Sequence, residues 1–268
     1  MEKIIDSTYF RDPALLDYFR SDKSNMAVFC DDACMETYKG NATKNISKSI
    51  EIVSRFPDQV IILKSTRDVI RITLLNKRLE LLEDTSQTRG FKMFCLDVER
   101  AIQGDQALTK QILIKAQIAL DHYNKTLKDT MLVVEGIKEY AKSFKPEHLK
   151  TLRNKNEIKL EVFDKISKDI LLLTYLLFHD HPEVLEIPQA SQVRDSYVFR
   201  FAISAYLLML RWISDGGIES KPLNKLQNDC IDIKYVAYAT FFDGLLTKDK
   251  KMEGIYIDTL FILKRVFK

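Results

Sequence analysis

Apolar residues follow two different rhythms along this chain. Near its start, short apolar runs alternate with amphipathic stretches. "KIID" (3–6), "MAVFC" (26–30) and "QVIIL" (59–63) are too short for stable helices and rich in Ile and Val, so they predict buried strands. Between them, "DPALLDYFRS" has Asp12 placed to cap and Pro13 at a first helical position. "DDACMETYKG" predicts a helix started by Asp31 or Asp32 and stopped by Gly40. "NISKSIEIVSRF" is amphipathic, with Ile46, Ile50, Ile52, Val53 and Phe56 as candidate core residues, and Pro57 ends it. Strands alternating with helices imply parallel pairing and a sheet covered on both faces.

From residue 66 to about 215 the rhythm is helical throughout. "TRDVIRITLLNKRLELLED" predicts a helix capped by Thr66, and "FKMFCLDVERAIQ" a second that ends at Gly104. "ALTKQILIKAQIALDHYNKTLKDTMLVVEGIKEYAKSF" fits one long helix with a bend at Gly136. "EVFDKISKDILLLTYLLF" and "SQVRDSYVFRFAISAYLLMLRWIS" predict two more, before "DGGIESKP" breaks the chain. Near the end, the helix "IKYVAYATFF" runs into a short strand, "GLLT". The expected architecture is therefore an α/β core with a short, mainly parallel sheet, built from residues 1–65 and 222–268. A large all-helical insertion spans 66–221.

Composition agrees with this pattern. The chain holds 8 Gly and 6 Pro in 268 residues, well under the usual abundances of roughly 7% and 5%, as a mainly helical protein would. Its formal charge is +3, from 41 basic and 38 acidic residues. A polyanion would have to be met by a local patch and not by the overall charge. Cys30, Cys34, Cys95 and Cys230 lack a metal-finger spacing and read as reduced core thiols. The first residues do not resemble a signal peptide, and the runs 170–178 and 201–210 fall short of the roughly 18–20 residues of a membrane span. A soluble, cytoplasmic protein with no membrane contact is expected.

The candidate chemistry comes from carboxylates near strand ends. Asp6 closes the first strand, and Glu36 lies one turn into the helix after the second. Asp232 starts the helix "IKYVAYATFF", and Asp249 follows the last strand. In a parallel sheet the strand C-termini and the neighbouring helix N-termini share one edge, where such folds place their sites. Crowded carboxylates repel, and a divalent cation with a preference for oxygen ligands relieves that repulsion.

The order of these pieces resembles the PIN-domain nuclease family. The resemblance rests on "IIDST", on the Glu of "VFCDDACMETY", on "DIKYVAYA" and on "GLLTKD", in that order. It covers the two ends of the chain and leaves the helical middle unaccounted for. It implies a PIN-like three-layer core and a divalent-metal-dependent nuclease, most often acting on RNA. Asp6, Glu36, Asp232 and Asp249 would then bind Mg²⁺ or Mn²⁺ and carry catalysis through a metal-activated water. Ser7 and Thr247 would orient the carboxylates or metal-bound waters, and Lys248 and Lys250 would contact phosphate. Asp229 is an uncertain fifth carboxylate. The implied partners are nucleic acid, RNA ahead of DNA, and a regulatory protein of the kind that restrains the family's small toxins.

Other readings compete. Asp232 would also serve as a plain helix cap, and Asp243 in "DG" as a turn residue. The chain could keep the fold as a catalytically inactive PIN-like binding or scaffold protein, or act as a structure-selective DNA nuclease. His179 and His181 in "FHDHPE" read as a solvated loop. Arg67, Arg71 and Arg78, with "KTLRNKNEIK" (150–159), read as mixed-charge surface.

Overall fold

Three short parallel runs of Ile, Val and Phe form the first part of a sheet, and a fourth strand joins from the far end of the chain. In the computed structural model, the described residues are 1–72, 78–145, 160–181, 191–215 and 221–265, with positions 147, 184, 187–189 and 218. In chain order the elements are β1 (Glu2–Ile5), α1 (Pro13–Ser21), β2 (Met26–Phe29), α2 (Asp31–Glu36), α3 (Ala42–Ile50), β3 (Val60–Ile62), α4 (Thr66–Ile70), α5 (Arg78–Leu82), α6 (Thr85–Ile102), α7 (Gln106–Ala141), α8 (Leu160–Asp180), α9 (Tyr197–Ser214), α10 (Leu223–Ala239), β4 (Gly244–Leu246) and α11 (Lys250–Arg265). The fold is α/β, mostly helical, with one small parallel sheet.

The sheet order is β3-β2-β1-β4, and every pairing is parallel. From β1 the chain steps outward to β2 and then β3. It returns after α10 to place β4 on the opposite side of β1. The order of strands therefore reverses between β1 and β4.

The chain divides into two compact units. The first comprises Met1–Val69, Lys77–Asn124 and Tyr238–Glu253 and carries the whole sheet. Ile4, Ile5, Ala27 and Val28 on its two central strands are fully buried, as strands covered on both faces require. Phe29 meets Phe10 edge-on, with ring centroids 4.9 Å apart, and lies 6.2 Å from Phe91 of α6. The β3 edge is closed locally: Lys64 N donates to Leu82 O (2.8 Å), Asp84 N to Ile62 O (2.9 Å), and Ile62 N to Thr88 Oγ1 (3.0 Å). Backbone groups that would otherwise template an outside strand are thereby satisfied. This unit extends past residue 65, because α6 and the first part of α7 pack within it.

The second unit, Ile70–Asn76, Lys125–Ala237 and Gly254–Lys268, is helical among its described residues. It is tied by polar staples. Asp169 of α8 accepts hydrogen bonds from Tyr140 of α7, from Tyr206 of α9 (2.9 Å) and from Lys165 (2.7 Å). Trp212 Nε1 donates to Asp229 (2.8 Å), and Arg211 pairs with Asp258 (2.8 Å). By length and composition α9 is apolar enough to cross a membrane, and 61% of it is buried inside the protein.

Several boundaries differ from those expected of the sequence. Asn41 caps α3 through Lys44 N (3.1 Å), so that helix starts before residue 45. It ends at Ile50, and Ile52 is only half-buried. Ser65, not Thr66, caps α4: its hydroxyl accepts from Asp68 N (3.3 Å). The helix expected over 66–84 is observed as α4 and α5, with 73–77 outside the described residues. Residues 150–159 and the Arg78 side chain also lie outside them. Neither Asp31 nor Asp32 caps α2. Cys30 holds that position, and the Asp31 carboxylate instead accepts from Thr66 N and Oγ1 (2.8 and 2.7 Å).

Candidate functional site at the ends of β1 and β4

In open parallel sheets, ligands bind outside the strand C-termini where the strand order reverses. Here that place lies between the ends of β1 and β4, and it opens on Asp6. The backbone carries the β1–β4 pairing one step past both strands, with Asp6 N donating to Leu246 O at 3.0 Å. The Asp6 side chain is 2% exposed. Its Oδ2 accepts from Thr247 Oγ1 (2.7 Å) and from Thr8 Oγ1 (2.5 Å). Its Oδ1 has longer contacts, to Thr8 N at 3.3 Å and Ser7 Oγ at 3.5 Å. Burial pushes the Asp6 carboxyl above its ordinary range. The hydrogen bonds from Thr8 and Thr247 oppose that shift, and the charge of Glu36 adds to it.

Thr247 is a relay. Its hydroxyl donates to Asp6 and accepts from Asp249 N at 3.0 Å. Asp249 in turn caps α11, its Oδ1 accepting from Lys251 N (2.7 Å) and Met252 N (3.1 Å). The order Thr-Lys-Asp thus places a hydroxyl on Asp6 and a carboxylate at the mouth of the next helix. Glu36 is the last residue of α2 and pairs with Lys39 at 2.8 Å. Lys39 also lies 4.3 Å from the Tyr123 ring centre.

A cleft of about 310 Å³ opens beside Asp6, walled by Ser7, Thr8, Arg11, Glu36, Thr37 and Ser49. It contains one carboxylate, one guanidinium and four hydroxyls. Arg11, Thr8 and Ser49 were not among the residues expected from sequence. Thr8 was legible in "IIDST" as a hydroxyl two positions past the carboxylate, and its contacts to Asp6 are shorter than those of Ser7. Arg11 and Ser49 carried no local signal, since 38 positions separate them.

The other residues that the sequence pattern singles out have different roles or different surroundings. Lys248 pairs with Asp12, and Lys250 with Glu253 at 2.9 Å, so both expected phosphate contacts already hold carboxylates. Asp243 accepts from Glu2 N (2.7 Å) and donates its own N–H to Glu2 O (2.8 Å), locking β4 to β1 at their starts. Asp229 is buried in the second unit and accepts from Trp212. Asp232 also belongs to the second unit. It does not start a helix, because α10 begins at Leu223. An interior position removes capping as an explanation for this carboxylate. Burial pushes the Cys95 and Cys230 thiols up to about 11; Cys95 lies in the core and Cys230 is half-buried.

Mg²⁺ is usually held by one or two carboxylates, with waters and substrate phosphates completing its shell. Asp6 and Glu36 suit that mode: two carboxylates, with the charge of Glu36 acting on Asp6, among hydroxyls. They do not form a closed cage, since among the described residues no three His, Cys, Asp or Glu side chains gather as a metal-holding group. Compared with protein-family profiles, curated proteins and solved structures, the chain matches none.

Proposed function

We propose that this chain is a cytoplasmic, divalent-metal-dependent nuclease with a PIN-like three-layer core, acting on RNA ahead of DNA. One observation carries the reading. A buried carboxylate, Asp6, ends the central strand where the strand order reverses, and the neighbouring strand supplies Thr247 to hold it. Burying an acid whose charge is disfavoured costs stability, and chains accept that cost at functional sites.

Asp6 and Glu36 would hold Mg²⁺ or Mn²⁺, with Asp249 close by through Thr247. Asp232 enters from the sequence motif alone. When bound, the ion supplies an acidified water and offsets charge on the phosphodiester. Thr8 and Thr247 fix Asp6 through Oδ2, which leaves Oδ1, with its longer contacts, as the ligating oxygen. Fixing the ligand in one rotamer is what such hydroxyls contribute at metal sites.

The scaffold reading has one observation of its own. Lys248, Lys250 and Asp249 are all engaged within the chain, as in a site that serves structure. Cleavage of labelled single-stranded RNA in Mn²⁺ or Mg²⁺, by wild type, Asp6→Asn and Asp232→Asn, separates the two. The nuclease reading expects metal-dependent cleavage that both substitutions abolish. Calorimetry with no heat at millimolar Mn²⁺, and no cleavage of RNA or DNA, would establish the scaffold.

A further inference from the structure

Around the strand ends, positive charge is mostly consumed. Lys39, Lys248 and Lys250 are ion-paired with Glu36, Asp12 and Glu253. Arg11 differs. It lines the cleft, is exposed, and its contacts are neutral oxygens: Asn45 O at 3.3 Å and Ser49 Oγ at 3.1 Å. Both contacts use Nη2. A guanidinium presents five N–H donors in a rigid fork. Among the described residues, Nη1 and Nε have no protein acceptor, which leaves three N–H donors for an oxyanion in charge-assisted hydrogen bonds.

Ser49 supplies an independent observation. It is 5% exposed and lies in the cleft wall. Its oxygen accepts from Arg11, and among the described residues its own proton has no acceptor. Buried hydroxyl protons are normally satisfied. A cleft that offers guanidinium N–H donors and a spare hydroxyl proton side by side suits an anion. At about 310 Å³ it matches the lower end of small-ligand sites, the size of one nucleotide unit.

We propose that Arg11 and Ser49 form a phosphate subsite that seats the backbone of a single-stranded nucleic acid in this cleft. The proposal rests on the nuclease reading for its choice of anion. Arg11 is a positioning residue: it fixes where the strand lies relative to Asp6 and Glu36 and touches no reacting bond. Glu36 lines the same cleft, and its charge opposes a lone anion there. A strand anchored by further phosphates along its length does not share that handicap.

The experiment measures binding of a labelled single-stranded RNA, and of DNA of the same sequence, by fluorescence anisotropy in EDTA across a salt series. Wild type is compared with Arg11→Gln, Arg11→Lys and Ser49→Ala, each checked for an unchanged far-UV spectrum and a cooperative melt. Arg11→Gln is expected to weaken both ligands about tenfold and to lower the salt slope by about one. Arg11→Lys should recover the slope but not the full affinity, and Ser49→Ala should lose about threefold, less than the roughly tenfold of a charged contact. Unchanged affinity and slope in Arg11→Gln overturn the subsite, as does absence of wild-type binding. A loss confined to RNA overturns the phosphate assignment in favour of the 2′-hydroxyl. Cleavage in Mn²⁺ is scored separately. Arg11-dependent binding without cleavage leaves the subsite standing and removes the nuclease. Cleavage with KM unchanged in Arg11→Gln does the reverse.

Discussion

Thr247 Oγ1 donates a 2.7 Å hydrogen bond to Asp6 Oδ2 across 241 positions of sequence. The bond joins the C-terminal ends of two adjacent parallel strands and helps satisfy a carboxylate whose charge burial disfavours. Thr247→Val keeps the shape and removes the donor. It should lower stability by about 1–3 kcal/mol, the usual range for one hydrogen bond to a charged group, with Thr8 still donating to the same oxygen, while Thr247→Ser restores most of it. Chemical denaturation of the three proteins at neutral pH measures the differences. Equal midpoints would mean that the bond contributes nothing.

Asp6→Asn should separate stability from function. Burial raises the folded-state pKa of Asp6 above its ordinary 3.8. The stability contributed by its neutral form is therefore full below that value and is lost as pH rises through the folded pKa. At neutral pH the charged side chain is a cost that asparagine does not carry. In metal-free buffer Asp6→Asn should melt no lower than wild type at pH 7, with any advantage shrinking toward pH 4. Adding Mg²⁺ should raise the wild-type melting temperature and leave the variant unmoved, because a ligand stabilises only the state that binds it.

Asp169 makes the opposite prediction. Its own burial would raise its pKa, but the hydrogen bonds from Lys165, Tyr140 and Tyr206 outweigh burial and hold it below 3.8. That contribution is present above the unfolded pKa and lost as pH falls through the folded one. Asp169→Asn should destabilise by about 1–2 kcal/mol from pH 5 to 8, taking the lower part of the range for charged hydrogen bonds because the group is partly exposed. The gap to wild type should close below pH 4. Thermal melts across that range test the sign.

Trp212 is the chain's single tryptophan and is 1% exposed, so its emission reports on the second unit. Its indole N–H donates to Asp229. Asp229→Ala leaves that buried donor without its carboxylate and should cost about 1–3 kcal/mol. Tryptophan emission should shift as the polar partner goes. If Asp229→Ala instead abolishes metal binding with the emission unchanged, the carboxylate serves the site and not the helix packing.

The local pattern carried much of this protein. Short apolar runs located all four strands, because the buried part of a strand covered on both faces has no room for polar side chains. The long apolar periodicity over 106–141 located α7. The weaker signals failed for local reasons. Asp232 looked like a cap because "IKYVAYATFF" is so much more apolar than what precedes it. Yet "LNKLQNDC" has adequate helix formers, and Pro222 sets the true start one residue before Leu223. Thr66 looked like a cap because a hydroxyl precedes an apolar run, but Ser65 does the same one position earlier.

What the sequence determined by itself was where carboxylates fall near strand ends, at Asp6, Glu36 and Asp249. Only the tertiary structure decided what each carboxylate touches. Pairing β4 beside β1 brings Thr247 to Asp6. Folding α3 back toward the β1 end brings Ser49 to Arg11. Salt bridges commit Lys248 and Lys250 elsewhere. Hydrogen bonds act over about 3 Å and depend on which distant segments become neighbours. Periodicity along the chain reports which face of an element is buried and carries no information on which partner buries it.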